Sequence, residues 1–163
     1  MALNIALLKE LEHEAAKTRK MLERVPMEKA DWKPHEKSYS LGSLAIHIAR
    51  LPSWVERVNT SDEFDVAKGV LPKLPGNSEE LLTFFDTNIA AATRNLQGAT
   101  DELLMKPWTF RNGERIIFTA PKVSVIRNMG LNHIYHHRGQ LSVYLRLLNI
   151  PVPGMFGPSA DER

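Results

Sequence analysis

Four stretches of the chain carry apolar residues at alternating spacings of three and four, the period an α-helix needs to bury one face. The first runs from about Leu3 to Val25 with Leu7, Leu11, Ala15, Thr18 and Leu22 in line. The second follows Ser40, a residue suited to a helix cap, and carries Leu44, His47, Leu51, Trp54 and Val58. The third opens with Asn77 and Glu80 as a cap and its reciprocal acidic residue, carries Leu82, Phe85, Ile89, Ala92 and Leu96, and stops at Gly98. The fourth begins at Thr119 and Pro121 and carries Ile126, Gly130, His133, His137, Leu141, Tyr144 and Leu148. Four such stripes predict an all-α fold, a four-helix bundle, and a length of 163 residues suits one domain over residues 1–163.

The segments between the stripes are punctuated by proline and glycine. Pro26 closes the first helix, and Met27 to Tyr39, with Trp32, Pro34 and His35, reads as a loop. Pro52 lies inside the second stripe, where its missing N–H and its ring predict a kink or a break. Ser61 to Gly76 holds Gly69, Pro72 and Pro75 and is expected to be the longest irregular connection, crossing from one side of the bundle to the other. From Trp108 to Thr119, two apolar runs flank Arg111, Asn112, Gly113 and Glu114, which predicts a short β-hairpin before the last helix. The tail from Ile150 to Pro158 cannot continue a helix, yet Met155 and Phe156 suit it to capping the bundle, lining a pocket or joining a dimer interface.

Composition removes several classes of function. Lys and Arg number 21 against 19 for Asp and Glu. The signs alternate along the first helix, in Lys9, Glu10, Glu12, Glu14, Lys17, Arg19 and Lys20, which reads as a solvated face. The densest basic cluster, Lys17 to Lys20, is too short for a phosphate-backbone surface, so no nucleic acid is expected as partner. The absence of cysteine excludes disulfides, thiolate ligands and a cysteine nucleophile, and any thiol chemistry would need a borrowed thiol. No apolar run approaches bilayer length, and Met1 to Leu8 has no basic leader, so a cytoplasmic protein with no membrane partner is expected.

The chemistry concentrates in histidine. His133 and His137 are four apart and so share one helix face, while His47 lies on the apolar stripe of a different helix. An imidazole without a partner in an apolar interior costs desolvation energy, and a divalent ion can accept all three lone pairs at once. His136 is rotated by about 100° from His137 and suits a supporting contact near the ion. His13 and His35 read as surface residues. The run His133, Ile134, Tyr135, His136, His137 lacks the glutamate of the His-Glu-x-x-His protease signature, and no Gly-rich phosphate loop or Gly-x-Ser-x-Gly elbow is present.

These residues resemble the DinB/YfiT-like family of metalloenzymes. The resemblance rests on His133 to Leu141 with its His-x-x-His-His-Arg-Gly-Gln pattern, on Ser43 to His47, and on Trp32 to Ser40 with its Trp-x-Pro start, and it spans nearly the whole chain. It implies a four-helix bundle of up-down-down-up connectivity, a homodimer, and zinc or nickel held by His47, His133 and His137. Some members of the family are thiol-dependent transferases or isomerases that use bacillithiol, mycothiol or glutathione.

Three neutral ligands leave the charge of a divalent ion uncompensated, which would lower the pKa of a bound water toward about 7 and deprotonate a bound thiol. A low-molecular-weight-thiol S-transferase acting on a small-molecule substrate is one reading, with Arg50 and Arg138 as candidate cations of the substrate pocket. A metal-dependent hydrolase is the second. A non-catalytic metal-binding stress-response protein, its site closed by a fourth protein ligand, is the third.

Overall fold

The computed structural model describes residues 2–70 and 72–162, so Met1, Leu71 and Arg163 of the expected domain lie outside the described residues. The chain is mostly helical. Helix α1 spans Leu3–Leu22, α2 Leu41–Arg50, α3 Ser53–Thr60, α4 Ser78–Gln97 and the short α5 Asp101–Met105. The last helical run starts as α6, Lys122–Val125, passes through a π-helical segment at Ile126–Asn132 and continues as α7, His133–Leu147. No helix among the described residues is long and apolar enough to cross a membrane.

Helix boundaries follow local chemistry. Ser40 caps α2 by accepting from the Ser43 N–H at 3.2 Å. Asn77 caps α4 by accepting from Glu80 N–H at 2.8 Å, and the Glu80 carboxylate returns to Gly76 N–H at 2.8 Å. Leu51 and Pro52 break the second stripe into α2 and α3, as a proline inside a helix requires. The Asn88 side chain of α4 donates to the Ala49 carbonyl near that break. The loop after α1 docks on the start of α2 through Leu41 N–H to Trp32 carbonyl and Gly42 N–H to Ala30 carbonyl, both 2.9 Å. A Cβ at Gly42 would lie 2.8 Å from that of Ala30, so the approach requires glycine.

Beside the helices, the expected hairpin is enlarged by one strand into a three-stranded sheet in the order β1 (Glu63–Asp65), β2 (Pro107–Asn112), β3 (Arg115–Pro121). The expected hairpin is β2 and β3, paired antiparallel, with Gly113 at φ +57° in the turn and a bulge beside Phe110 and Arg111. Strand β1 pairs in parallel with β2 and arises inside the connection expected to be irregular. Its end is clamped to the hairpin turn, because the Asp65 carboxylate accepts from Gly113 N–H at 2.9 Å and from Ala67 N–H at 3.0 Å. Phe64, Phe110 and Phe118 stack across the three strands, and Trp54 of α3 meets Phe64 edge-on at 5.5 Å.

The interior consists of two apolar clusters. One gathers Met21, Leu22, Leu44, Ile48, Phe85 and Leu141, and the other gathers Leu7, Leu11, Val58, Leu96, Trp108 and Ile126. Polar residues lie between them along the long helices: Glu14 and Thr18 on α1, Asn88 on α4, Arg138 on α7. Glu14 was expected on a solvated face, yet it is buried, at 5% exposure. The Arg138 guanidinium donates to its carboxylate, to its carbonyl at 3.2 Å and to Thr18 Oγ1 at 3.0 Å. Lys17 adds a second cation at 3.1 Å. The tail folds back as well: Met155 packs on the first cluster, whereas the Phe156 ring stays exposed beneath the Lys17 ammonium.

Burial raises the Glu14 pKa, but hydrogen bonds from Arg138 and Lys17 outweigh it and hold the carboxyl below the ordinary range. A folded-state pKa lowered in this way contributes stability that is complete above the unfolded value and lost as pH falls through the folded one. Arg138→Met should cost up to about 3 kcal/mol in urea unfolding at pH 7, because it leaves the buried carboxylate with Lys17 as its remaining cation. Acidification should close much of the gap between that variant and the parent, and a gap unchanged down to pH 2 would show that the ion pair is not its source.

Candidate metal centre

His47 stands on α2, His133 and His137 on the first turns of α7, and the two helices pack against each other. Each of the three can offer a ring nitrogen such that these atoms all lie within 4.8 Å of one another. His47 and His133 approach Nε2 to Nε2 at 3.4 Å. That distance is long for a nitrogen-to-nitrogen hydrogen bond, yet two ligands about 2.05 Å from a shared tetrahedral ion stand about 3.3 Å apart. The rings of His47 and His137 meet edge-on with centroids 4.5 Å apart. No fourth histidine or carboxylate joins the group among the described residues.

The donor chemistry fits a metal ion. His137 Nδ1 contacts Gln140 Oε1 at 2.7 Å, which fixes the proton on Nδ1 and leaves Nε2 as a lone pair. Gln140 in turn donates from its amide to His136 Nε2 at 3.2 Å, so Gln140 links His136, itself exposed, to His137. The Met129 backbone carbonyl, within the π segment, accepts from the His133 ring and favours its protonation. Burial lowers the pKa of all three rings and outweighs that carbonyl. His47 goes down to about 4, pushed by burial first and then by His137 and His133. All three are therefore neutral at pH 7 and available as ligands.

The π segment was not foreseen from the sequence. A π turn takes one residue more than an α turn and rotates the helix beyond it. The buried side of the run moves from Ile126 and Gly130 to Leu131, Ile134, Arg138 and Leu141, and His133 and His137 come to its flank, facing α2. The one-letter pattern shows only an unbroken helical period there, so no sequence signal marks the insertion.

A cavity of about 280 Å³ opens beside His47, lined by Tyr39, Ser43, Ile46, Arg50, Pro72 and Leu74. The Tyr39 ring stacks over His47 at 5.9 Å and meets His137 edge-on at 6.1 Å. Arg50 thus lines the same cavity as His47. Arg138 is not a free cation for a substrate, since its guanidinium is buried against Glu14 and Thr18 of α1. His13 and His35 are away from the three rings, and the His13 side chain is 69% exposed. Tyr39 is the site residue that sequence reading missed, because the loop preceding Ser40 has no period to say which way a ring turns.

Gln140→Ala removes the partner that sets the His137 tautomer. Nitrogen-15 spectra of the metal-free protein should show His137 protonated at Nδ1, and this preference should vanish in the variant. Zinc affinity should fall about 10- to 100-fold, with unchanged circular dichroism. An unaltered tautomer and affinity would dismiss Gln140 as an orienting residue.

The match to the DinB family covers residues 1–162. An uncharacterized protein, YrdA, of Bacillus subtilis (strain 168) is 28% identical over 159 residues, 95% of this chain and 89% of the relative. A DinB-like protein from Bacillus cereus ATCC 10987 has a similar solved structure, with a TM-score of 0.73 at 23% identity over 91% of this chain and 95% of that one. A second DinB-like protein, YjoA of Bacillus subtilis, gives a TM-score of 0.69 at 17% identity, covering 90% and 95% of the two chains. With its three helix-borne histidines brought together beside a cavity, the chain belongs to the DinB family.

Proposed function

We propose that this protein is a metal-dependent S-transferase whose centre is one divalent transition ion, zinc or nickel, held by His47, His133 and His137. The observation that carries the reading is the convergence of three neutral imidazoles on one point beside a cavity, with no fourth protein ligand among the described residues. Such an ion supplies Lewis acidity that makes a water or a thiol nucleophilic near pH 7. A chain without cysteine must borrow its thiol, and Arg50 in the cavity wall suits the carboxylate of a glutathione- or bacillithiol-like molecule. In the transfer, the thiol sulfur bonds to an electrophilic carbon, the leaving group departs with the bonding pair, and the thiol proton goes to water. Tyr39 and Ile46 give the cavity an apolar wall against which the electrophile can rest.

Hydrolysis is the weaker reading, because no carboxylate lines the cavity among the described residues to act as general base. A closed, non-catalytic site would need a fourth ligand, which the group lacks among the described residues. In keeping with the same reading, we take the long helices as an up-down-down-up bundle forming a single domain, acting as a cytoplasmic homodimer related by two-fold symmetry.

Protein purified without a histidine tag should contain about one zinc or nickel per chain and conjugate glutathione or a related thiol to a chlorodinitrobenzene. Dialysis against a chelator should abolish turnover, and added metal should restore it. His47→Ala should lose both metal and activity. Metal-independent conjugation, or ester hydrolysis with no thiol turnover, would contradict the assignment.

A further inference from the structure

A second cavity, of about 570 Å³, adjoins the first and shares Arg50 with it. Arg57 and Lys68 complete a cationic rim around it, Trp54, Phe64 and Phe110 provide an aromatic wall, and no Asp or Glu lines it among the described residues. We propose that this cleft is a binding site for a small organic anion, a carboxylate or phosphate monoester with a flat apolar body.

Arg50 is the first argument. Arg19, Arg111 and Arg138, the other arginines that are not fully exposed, each have a carboxylate partner. Arg50 is half-buried and has none among the described residues. Burial and the nearby charge of Arg57 both lower its pKa, a cost that an anion in the cleft would offset.

Arg57 is the second. Its guanidinium lies 4.2 Å from the Phe64 ring centroid and 5.6 Å from that of Trp54. Stacking fixes the group at little further entropy cost and leaves its edge N–H donors free for a forked contact with a carboxylate or phosphate. Lys68, exposed and 4.0 Å from Asp65 Oδ2, adds a further charge at the rim that this carboxylate partly offsets. The backbone N–H groups of Ala67 and Gly113 both donate to the other oxygen, Asp65 Oδ1.

The sheet supplies the third. Strand β1 and its pairing with β2 place Phe64 beside Phe110, so the aromatic wall exists only because that strand forms. The cavity is within the size range of ligand pockets, and the aromatic rings would stack on a planar body. Because Arg50 borders both cavities, an anion held here would project its other end toward the three histidines. That orientation rests on the metal reading, whereas anion binding does not.

Calorimetric titration should use benzoate and phenyl phosphate, with benzyl alcohol as the neutral control. At least one anion should bind, weakening as salt rises, and the tighter of the two identifies the head group. Arg57→Gln and Arg50→Gln should each weaken it about tenfold, whereas Arg146→Gln, at the far end of α7, should leave it unchanged. His137→Ala should also retain the anion, which separates failure of this site from failure of the metal centre. Equal affinity for benzyl alcohol, equal affinity in Arg57→Gln, or loss of the anion in His137→Ala would overturn the proposal, as would tighter binding of a single-stranded oligonucleotide than of either small anion.

Discussion

The imidazoles of His47 and His137 can meet only because α2 and α7 pack directly on one another. Helix α2 is buried along most of its length, with Leu44, Ala45, Ile48 and Ala49 fully enclosed by its neighbours. That burial fixes its rotation, so His47 has one direction in which to point. Helix α7 is fixed in the same way by Ile134, Leu141 and Leu145. The geometry of the three rings is thus a consequence of hydrophobic packing rather than of any attraction among them, since they would repel if charged. Desolvation then keeps the rings neutral, and neutrality is what leaves their lone pairs available to an ion.

The ion pair of Arg138 with Glu14 complements this arrangement. It occupies the level between the two apolar clusters and ties α7 to α1. A buried pair of this kind adds little net stability compared with apolar packing, but a sliding of α7 that broke it would strand two charges. Because Arg138 is the next residue after His137, the register it enforces is also the register of that imidazole.

Much of this was legible in the residues. The stripes located the long helices, Pro52 marked the break, Asn112 and Gly113 marked the hairpin, and the three histidines stood out as polar positions on the stripes of two helices. What escaped reading has a common physical origin in distant partners. Three residues, Glu63 to Asp65, carry no alternation that could announce a strand, and β1 forms because β2, more than forty positions on, offers an edge. Glu14 looks like one more charge in a solvated series until Arg138 arrives from 124 residues away. The π segment changes rotation without changing the apparent period. The Arg50, Arg57 and Lys68 rim needs both α3 and the turn after β1 before it exists.

X-ray absorption at the edge of the bound metal would count the imidazoles around it. Three imidazole nitrogens are expected at about 2.0–2.1 Å, with remaining light scatterers from solvent. A spectrum from protein saturated with zinc that lacks imidazole scattering, or that fits one histidine alone, would contradict coordination by His47, His133 and His137.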